Sequence, residues 1–164
     1  ITLRTQQACL RIIDKTGPLN NPADRDHCVQ YMVAIALLFG RLVAADYEDD
    51  VAADPRIDAL RAKIHCVEEP RFTADYLDPD KRSIANALEL RFTDGVSLDA
   101  TVEYPLGHAR RRAEGIPRLE DKFRAHLAAT FPTVQQRRIL DVSLDPVALE
   151  AMPVNEYVAL FVPD

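Results

Sequence analysis

In the stretch GPLNNPADRDHCVQYMVAIALLFG, residues 17 to 40, an arginine, a histidine and a tyrosine stand at Arg25, His27 and Tyr31. A spacing of four puts His27 and Tyr31 one turn apart on the same helix face, with Arg25 half a turn from the histidine. Near a helix N-terminus the free backbone N–H groups and the positive end of the dipole favour an anion, and a guanidinium fork matches a carboxylate. The chemistry of such a set is carboxylate binding, with a hydroxyl and an imidazole placed to pass a proton. The plainer reading of the same residues is a capped, solvated helix end with Tyr31 packing at a layer boundary. Spacing alone leaves both open.

A second concentration of cations lies in GHARRR, where His108, Arg110, Arg111 and Arg112 follow a strand-like run. Arginine forks suit carboxylates or phosphates, yet a charge run is commonly a solvated face, and Glu114 or Glu120 stands within pairing distance along the chain. In IIDKTGPLNNP, Asp14 and Lys15 precede a Gly-Pro turn, which fits either a ligand loop or a hinge, and turn chemistry alone accounts for it. No GxGxxG, P-loop, HExxH or GxSxG is present, which removes the commonest nucleotide, zinc-protease and serine-hydrolase readings. The three cysteines, Cys9, Cys28 and Cys66, have neither disulfide-framework nor zinc-ligand spacing, so no metal is expected and a reducing cytosol is the simplest setting. A formal charge of −6 and a pI near 5.2 argue against a general nucleic-acid binder. No apolar run is long enough for a membrane span.

The elements that must position these residues are legible from punctuation and periodicity. A helix is expected over 22–39, with Asn21 as N-cap, Pro22 at the first helical position and Gly40 as the stop. Its second half, YMVAIALLF, is apolar on all sides and therefore belongs between two layers. DPRIDALRAKI reads as a shorter helix capped by Asp54, and HCVEEP as a short strand or connector. Residues 84–104 alternate as a hairpin. A three-residue loop with left-handed Gly95 pairs Phe92 with Val96 and Leu90 with Leu98, keeping apolar side chains together, whereas a two-residue loop opposes them with polar ones. A helix follows from about 118 to 131, with Leu119, Phe123 and Leu127 on one face, and then short helical pieces capped at Thr133 and Asp145. With 164 residues, 48% of them hydrophobic, the chain can bury its own core. The fold class is α+β, a small mostly antiparallel sheet covered by helices on one face and followed by a C-terminal helical segment. The opening ITLRTQQ has no initiator Met and enters strand-like alternation at once, so the chain is expected to be part of a longer polypeptide.

Four segments taken in order, RIIDKTGPLNNPADRDHCVQYMVA, DYEDDVAADPRIDALRAKI, DPDKRSIANALELRFTDG and YPLGHARRR, resemble the C-terminal part of proteins of the MmgE/PrpD family. The resemblance extends over essentially the whole chain. It implies a large all-helical domain upstream and an active site in the cleft between that domain and this one. On this reading residues 1–117 form the lid-like α+β domain, and residues 118–164 return toward the helical domain. The activity implied is that of a cytoplasmic hydro-lyase without an iron–sulfur cluster or other cofactor, converting 2-methylcitrate to 2-methyl-cis-aconitate in the methylcitrate cycle of propionate catabolism. Such a reaction has to hold three carboxylates, remove a proton beside one of them and help hydroxide leave as water.

Gln30-Tyr31 matches a pair in the related cis-aconitate decarboxylase, whose tyrosine lies at the active site. The resemblance therefore makes Tyr31 the first catalytic candidate and His27 its orienting or carboxylate-binding companion. Arg25, Lys15, His108 and Arg110 are the substrate-binding candidates, His108 through the family's Gly-His loop. The remaining catalytic groups belong to the upstream domain, so this piece alone is expected to be inactive. The expected partners are a small tricarboxylate, that helical domain and a second copy in a homodimer, with neither nucleic acid nor membrane. A decarboxylase or iminodisuccinate epimerase on the same scaffold, or a noncatalytic module binding polycarboxylates or a protein, are the alternatives.

Overall fold

Alternation at the start of the chain becomes an inner strand of a four-stranded sheet in a computed structural model that describes residues 1–162. This strand, β1 (Thr2–Thr5), leads into helix α1 (Gln7–Ile13), then α2 (Pro22–Asp26) and α3 (Val29–Phe39). A 3-10 turn (Ala44–Tyr47) and the one-turn helix α4 (Asp49–Ala52) follow, then α5 (Pro55–Arg61), β2 (His65–Glu68), α6 (Pro70–Leu77) and the hairpin strands β3 (Asn86–Arg91) and β4 (Ser97–Val102). The strand order is β2-β1-β3-β4; β1 pairs parallel with β2, and the other pairings are antiparallel. The architecture is α+β with a mostly antiparallel sheet, followed by helices.

Register follows the hydrophobic pattern. Leu3 lies opposite Cys66 on one side and Leu88 on the other, and this row packs with Cys9 and Val29 as a core cluster. The hairpin takes the three-residue loop: Leu90 faces Leu98, the Phe92 N–H donates to the Val96 carbonyl at 2.8 Å, and Gly95 adopts φ +89. That choice keeps Leu90 and Leu98 on one face, which the shorter loop would not.

The long helix expected over 22–39 is two helices. Asn21 caps the first through the Asp24 N–H, with Pro22 at its start, and Gly40 ends the second in the left-handed conformation at φ +67. Between them His27 leaves helical geometry at ψ 27, and Cys28 is extended at φ −128 and ψ 104. The extended step carries the Cys28 thiol into a fully buried position, where it contacts the Lys15 carbonyl at 3.3 Å and Gln30 Oε1 at 3.4 Å. His27 and Tyr31 consequently do not share one helix. The buried face of α3 comprises Val29, Gln30, Tyr31, Ala34 and Ile35, while Leu37 near its end is exposed. Ile35 packs with Ile57 of α5 and with Tyr31, Ala34, Cys28 and Ile64 in the largest cluster of the sheet-bearing unit.

The chain divides into two compact units, Ile1–Pro105 and the part from Leu106 onward. The second opens with a 3-10 turn (Ala109–Arg111) and α7 (Arg112–Thr130), followed by α8 (Thr133–Ser143), α9 (Pro146–Ala151) and α10 (Val154–Ala159). Helix α7 starts earlier than periodicity indicates and runs through Pro117; a proline inside a helix removes one ladder donor without ending it when the flanking turns hold. Of the predicted face, Leu127 is buried and Leu119 is exposed. Asp145 caps α9 through the N–H groups of Val147 and Ala148, whereas Thr133 is the first helical residue of α8 rather than its cap. The Gln135 amide donates to the carbonyls of Leu160 and Val162 at 2.8 and 2.7 Å, holding the last turn to α8.

Candidate functional site

The break at His27 and Cys28 decides the geometry of the site, because it lets α2 present Arg25 to the segment that also receives Tyr31. The Arg25 guanidinium is 7% exposed. Its Nη1 donates to the Tyr47 carbonyl at 2.6 Å and its Nη2 to Asp49 Oδ1 at 2.7 Å, while Nε is buried without a partner. Tyr31, 2% exposed, stacks on Tyr47 with ring centroids 6.0 Å apart and donates its hydroxyl to the Asp46 carbonyl at 2.6 Å. Burial raises the Tyr31 phenol above its ordinary value, so it is a neutral donor at physiological pH. The Asp46 carboxylate, fully buried, is held by Arg41 and the Val43 N–H, each at 2.8 Å. The 3-10 turn is thereby fixed through the Asp46 carboxylate.

Arg25 and Tyr31 line one cleft of about 320 Å³ together with Asn20, Asp49, Asp58 and Arg61. A neighbouring cleft of about 530 Å³ is lined by Lys15, Gln30 and His65 among others, and it shares Asp58 and Arg61 with the first. Arg61, from α5, has a guanidinium that contacts both the Asp58 carboxylate and the Gly17 carbonyl. It thus ties the helix to the 14–20 loop at the wall between the clefts. Lys15 Nζ donates to Asp24 at 2.5 Å, and its backbone N–H reaches Gln30 Oε1 at 3.4 Å. The ion pair with Lys15, then the Asn20 N–H, holds the Asp24 carboxyl below its usual range. The Gln30 amide, buried, also donates to Asp14. The arrangement offers three cations and a phenol around two joined hollows, which is suited to a small molecule with several carboxylates.

Of the residues singled out by spacing, Arg25 and Tyr31 meet in one cleft, and Lys15 lies in the adjoining one. His27 lines neither; its side chain is 63% exposed and pairs with the neighbouring Asp26 carboxylate, which raises the imidazole above 6.5. His108 and Arg110 belong to the second unit, where His108 Nδ1 accepts the Arg110 N–H at 3.1 Å and caps the 3-10 turn. Arg111 forms the pair with Glu114, at 2.7 Å. Sequence spacing does not single out Arg61, Asn20, Asp49 or Asp58. The only local signal for Arg61 is its i,i+3 relation to Asp58 in DALR, since its contact with Gly17 spans 44 positions. Among the described residues, no three His, Cys, Asp or Glu side chains gather in a way that could hold a metal ion, and no helix is long and apolar enough to cross a membrane.

Residues 1–145 match the MmgE/PrpD C-terminal domain. The chain is 69% identical over 163 residues to the 2-methylcitrate dehydratase of Escherichia coli (strain K12), an alignment covering 99% of this chain and 34% of that protein. It is 68% identical over 162 residues to the 2-methylcitrate dehydratase of Cupriavidus necator, covering 98% and 34%. To the mitochondrial 2-methylcitrate dehydratase of Yarrowia lipolytica (strain CLIB 122 / E 150) it is 55% identical over 163 residues, covering 99% and 31%. The chain spans about a third of the length of these curated relatives.

Proposed function

The chain belongs to the MmgE/PrpD family through that family's C-terminal domain, and on this premise we propose that it serves, within a longer polypeptide, a hydro-lyase that converts 2-methylcitrate to 2-methyl-cis-aconitate in propionate catabolism. The observation that carries the reading is the cleft in which the buried guanidinium of Arg25, its Nε without a partner, stands beside the Tyr31 phenol. The similarity to named dehydratases adds the substrate.

The reaction breaks one C–H and one C–O bond and forms a C=C bond, with the proton taken by a base and hydroxide leaving as water. A departing hydroxide needs a proton donor, and a phenol kept neutral by burial is one. Tyr31 therefore acts on the leaving oxygen. Arg25, Arg61 and Lys15 take carboxylates across the two joined clefts. His27, raised toward its charged form by Asp26, lines neither cleft; its part is to bind a substrate carboxylate and not to orient Tyr31. His108 and Arg110 are assigned to substrate binding or closure through the Gly-His loop. The base that removes the proton is supplied by the upstream helical domain, to which residues 1–117 act as a lid-like partner and residues 118–164 as the returning segment. No cofactor is required by this scheme. The setting is cytoplasmic, and the assembly a homodimer.

The test uses the full-length protein with 2-methylcitrate. Appearance of the conjugated alkene without carbon dioxide supports the reading, and release of carbon dioxide replaces it with a decarboxylase. A mass measurement in solution checks the dimer. No turnover by residues 1–164 alone is expected.

A further inference from the structure

Both arginines of the smaller cleft are already engaged by carboxylates of the chain itself. Arg25 Nη2 donates to Asp49, and Arg61 to Asp58. The two pairs are lopsided in burial. The arginine side chains are 7% and 13% exposed, whereas the aspartates are 83% and 74% exposed. A guanidinium held in the wall cannot follow a ligand, but an aspartate this exposed can swing into water and lose little, because it keeps most of its hydration in the pair.

Resting on the dehydratase reading of this cleft, we propose that Asp49 is an internal stand-in for a substrate carboxylate: it occupies the Arg25 fork in the empty cleft, and an incoming tricarboxylate displaces it. The geometry of the fork gives the exchange its direction. Asp49 engages Nη2 through one oxygen, Nη1 is committed to the Tyr47 carbonyl, and Nε is left buried with no partner. A free carboxylate laid along the Nε–Nη2 edge makes two parallel bonds where Asp49 makes one. Nε, buried and unpartnered while Asp49 holds Nη2, gains a partner in that arrangement. Until then the aspartate fills the cation's need for a counter-charge and repels anions too weakly multivalent to displace it, so it sets a threshold that favours polycarboxylates over simple acids.

The comparison is between Asp49→Asn and Asp50→Asn in the full-length enzyme. The two residues are neighbours in the first turn of α4, so the second variant carries the same loss of charge at the same helix end without freeing Arg25. Displacement predicts that Asp49→Asn lowers the KM for 2-methylcitrate by about two- to fivefold, the range of an exposed ion pair, with Asp50→Asn closer to the wild type. An unchanged or higher KM in Asp49→Asn, or an equal fall in Asp50→Asn, overturns the proposal. Should the wild-type enzyme not dehydrate 2-methylcitrate, the activity reading fails separately, and calorimetric titration with citrate reads the exchange: tighter binding to Asp49→Asn than to Asp50→Asn supports it, and equal or weaker binding ends it. Asp49→Ala, which removes the amide's own hydrogen bonds, is expected to follow Asp49→Asn in either assay, and divergence between them also counts against displacement.

Discussion

The Tyr31 hydroxyl donates to the Asp46 backbone carbonyl at 2.6 Å, so the residue proposed to assist water loss also ties α3 to the 3-10 turn. Its oxygen remains free to accept. A proton delivered to a leaving hydroxyl has to be the one now shared with Asp46, so the contact loosens when the substrate is turned over.

Tyr31→Phe separates the two roles. Removing the hydroxyl leaves a buried carbonyl without its donor, which costs about 1–3 kcal/mol of stability and lowers the urea midpoint. Loss of an acid at the leaving group lowers kcat by about a hundredfold or more. Urea melts and steady-state rates on the same full-length preparation distinguish them: a lower midpoint with unaltered kcat makes Tyr31 a tether only.

Arg25→Lys keeps the charge and removes the fork. A lysine ammonium cannot span both the Tyr47 carbonyl and a carboxylate along a planar edge, so affinity should fall more than turnover. A charge-assisted hydrogen bond contributes about 1.5–3 kcal/mol, and its loss raises the KM for 2-methylcitrate about tenfold or more. The same KM in both proteins would remove Arg25 from the substrate's contacts.

How much of this was readable in advance depended on whether the deciding interaction is local. Asn21-Pro22, Asp54-Pro55, Asp145-Pro146 and Gly40 act within one turn, and each marks a helix end in the structure. The hairpin register is local too, because the Leu90–Leu98 match excludes the alternative loop. The break at Cys28 is not. Nothing in DRDHCVQY forbids a continuous helix; the thiol's burial against Lys15 and Gln30 imposes it. That one tertiary effect separates His27 from Tyr31 and turns Arg25 toward Tyr47. Arg61 is not legible in the sequence for the same reason, since Gly17 lies far away along the chain.

His27 carries a pH dependence of definite sign. Hydrogen bonding to Asp26 is the main cause that raises its imidazole above 6.5. A raised folded value means that the contact's stabilisation is complete below about pH 6.5, the unfolded value, and is lost as pH rises through the folded one. Stability should therefore fall as pH rises above about 6.5, and His27→Gln should flatten that slope. Denaturant midpoints at pH 6 and 8, with an NMR titration of the ring, check it. A folded imidazole titrating at or below 6.5 contradicts the pairing.

Gly115 tests the second unit by setting two effects against each other. In a helix, alanine is favoured over glycine by about 1 kcal/mol, so Gly115→Ala would ordinarily stabilise α7. A Cβ at this position, however, comes within 2.3 Å of the Leu106 carbonyl oxygen. That neighbour is backbone and cannot rotate aside, so the chain before the helix has to move, at a cost of about 1–3 kcal/mol typical of overpacking. The clash outweighs propensity, and the urea midpoint of the full-length protein should fall. Gly107 is the control, since nothing lies within 4 Å of a Cβ built there. Gly107→Ala restricts the unfolded chain without a clash, which leaves the midpoint unchanged or raises it, by up to about 1 kcal/mol. A gain in both variants would place the Leu106 carbonyl away from α7, and a loss in both would point to the 106–108 loop rather than to the helix contact.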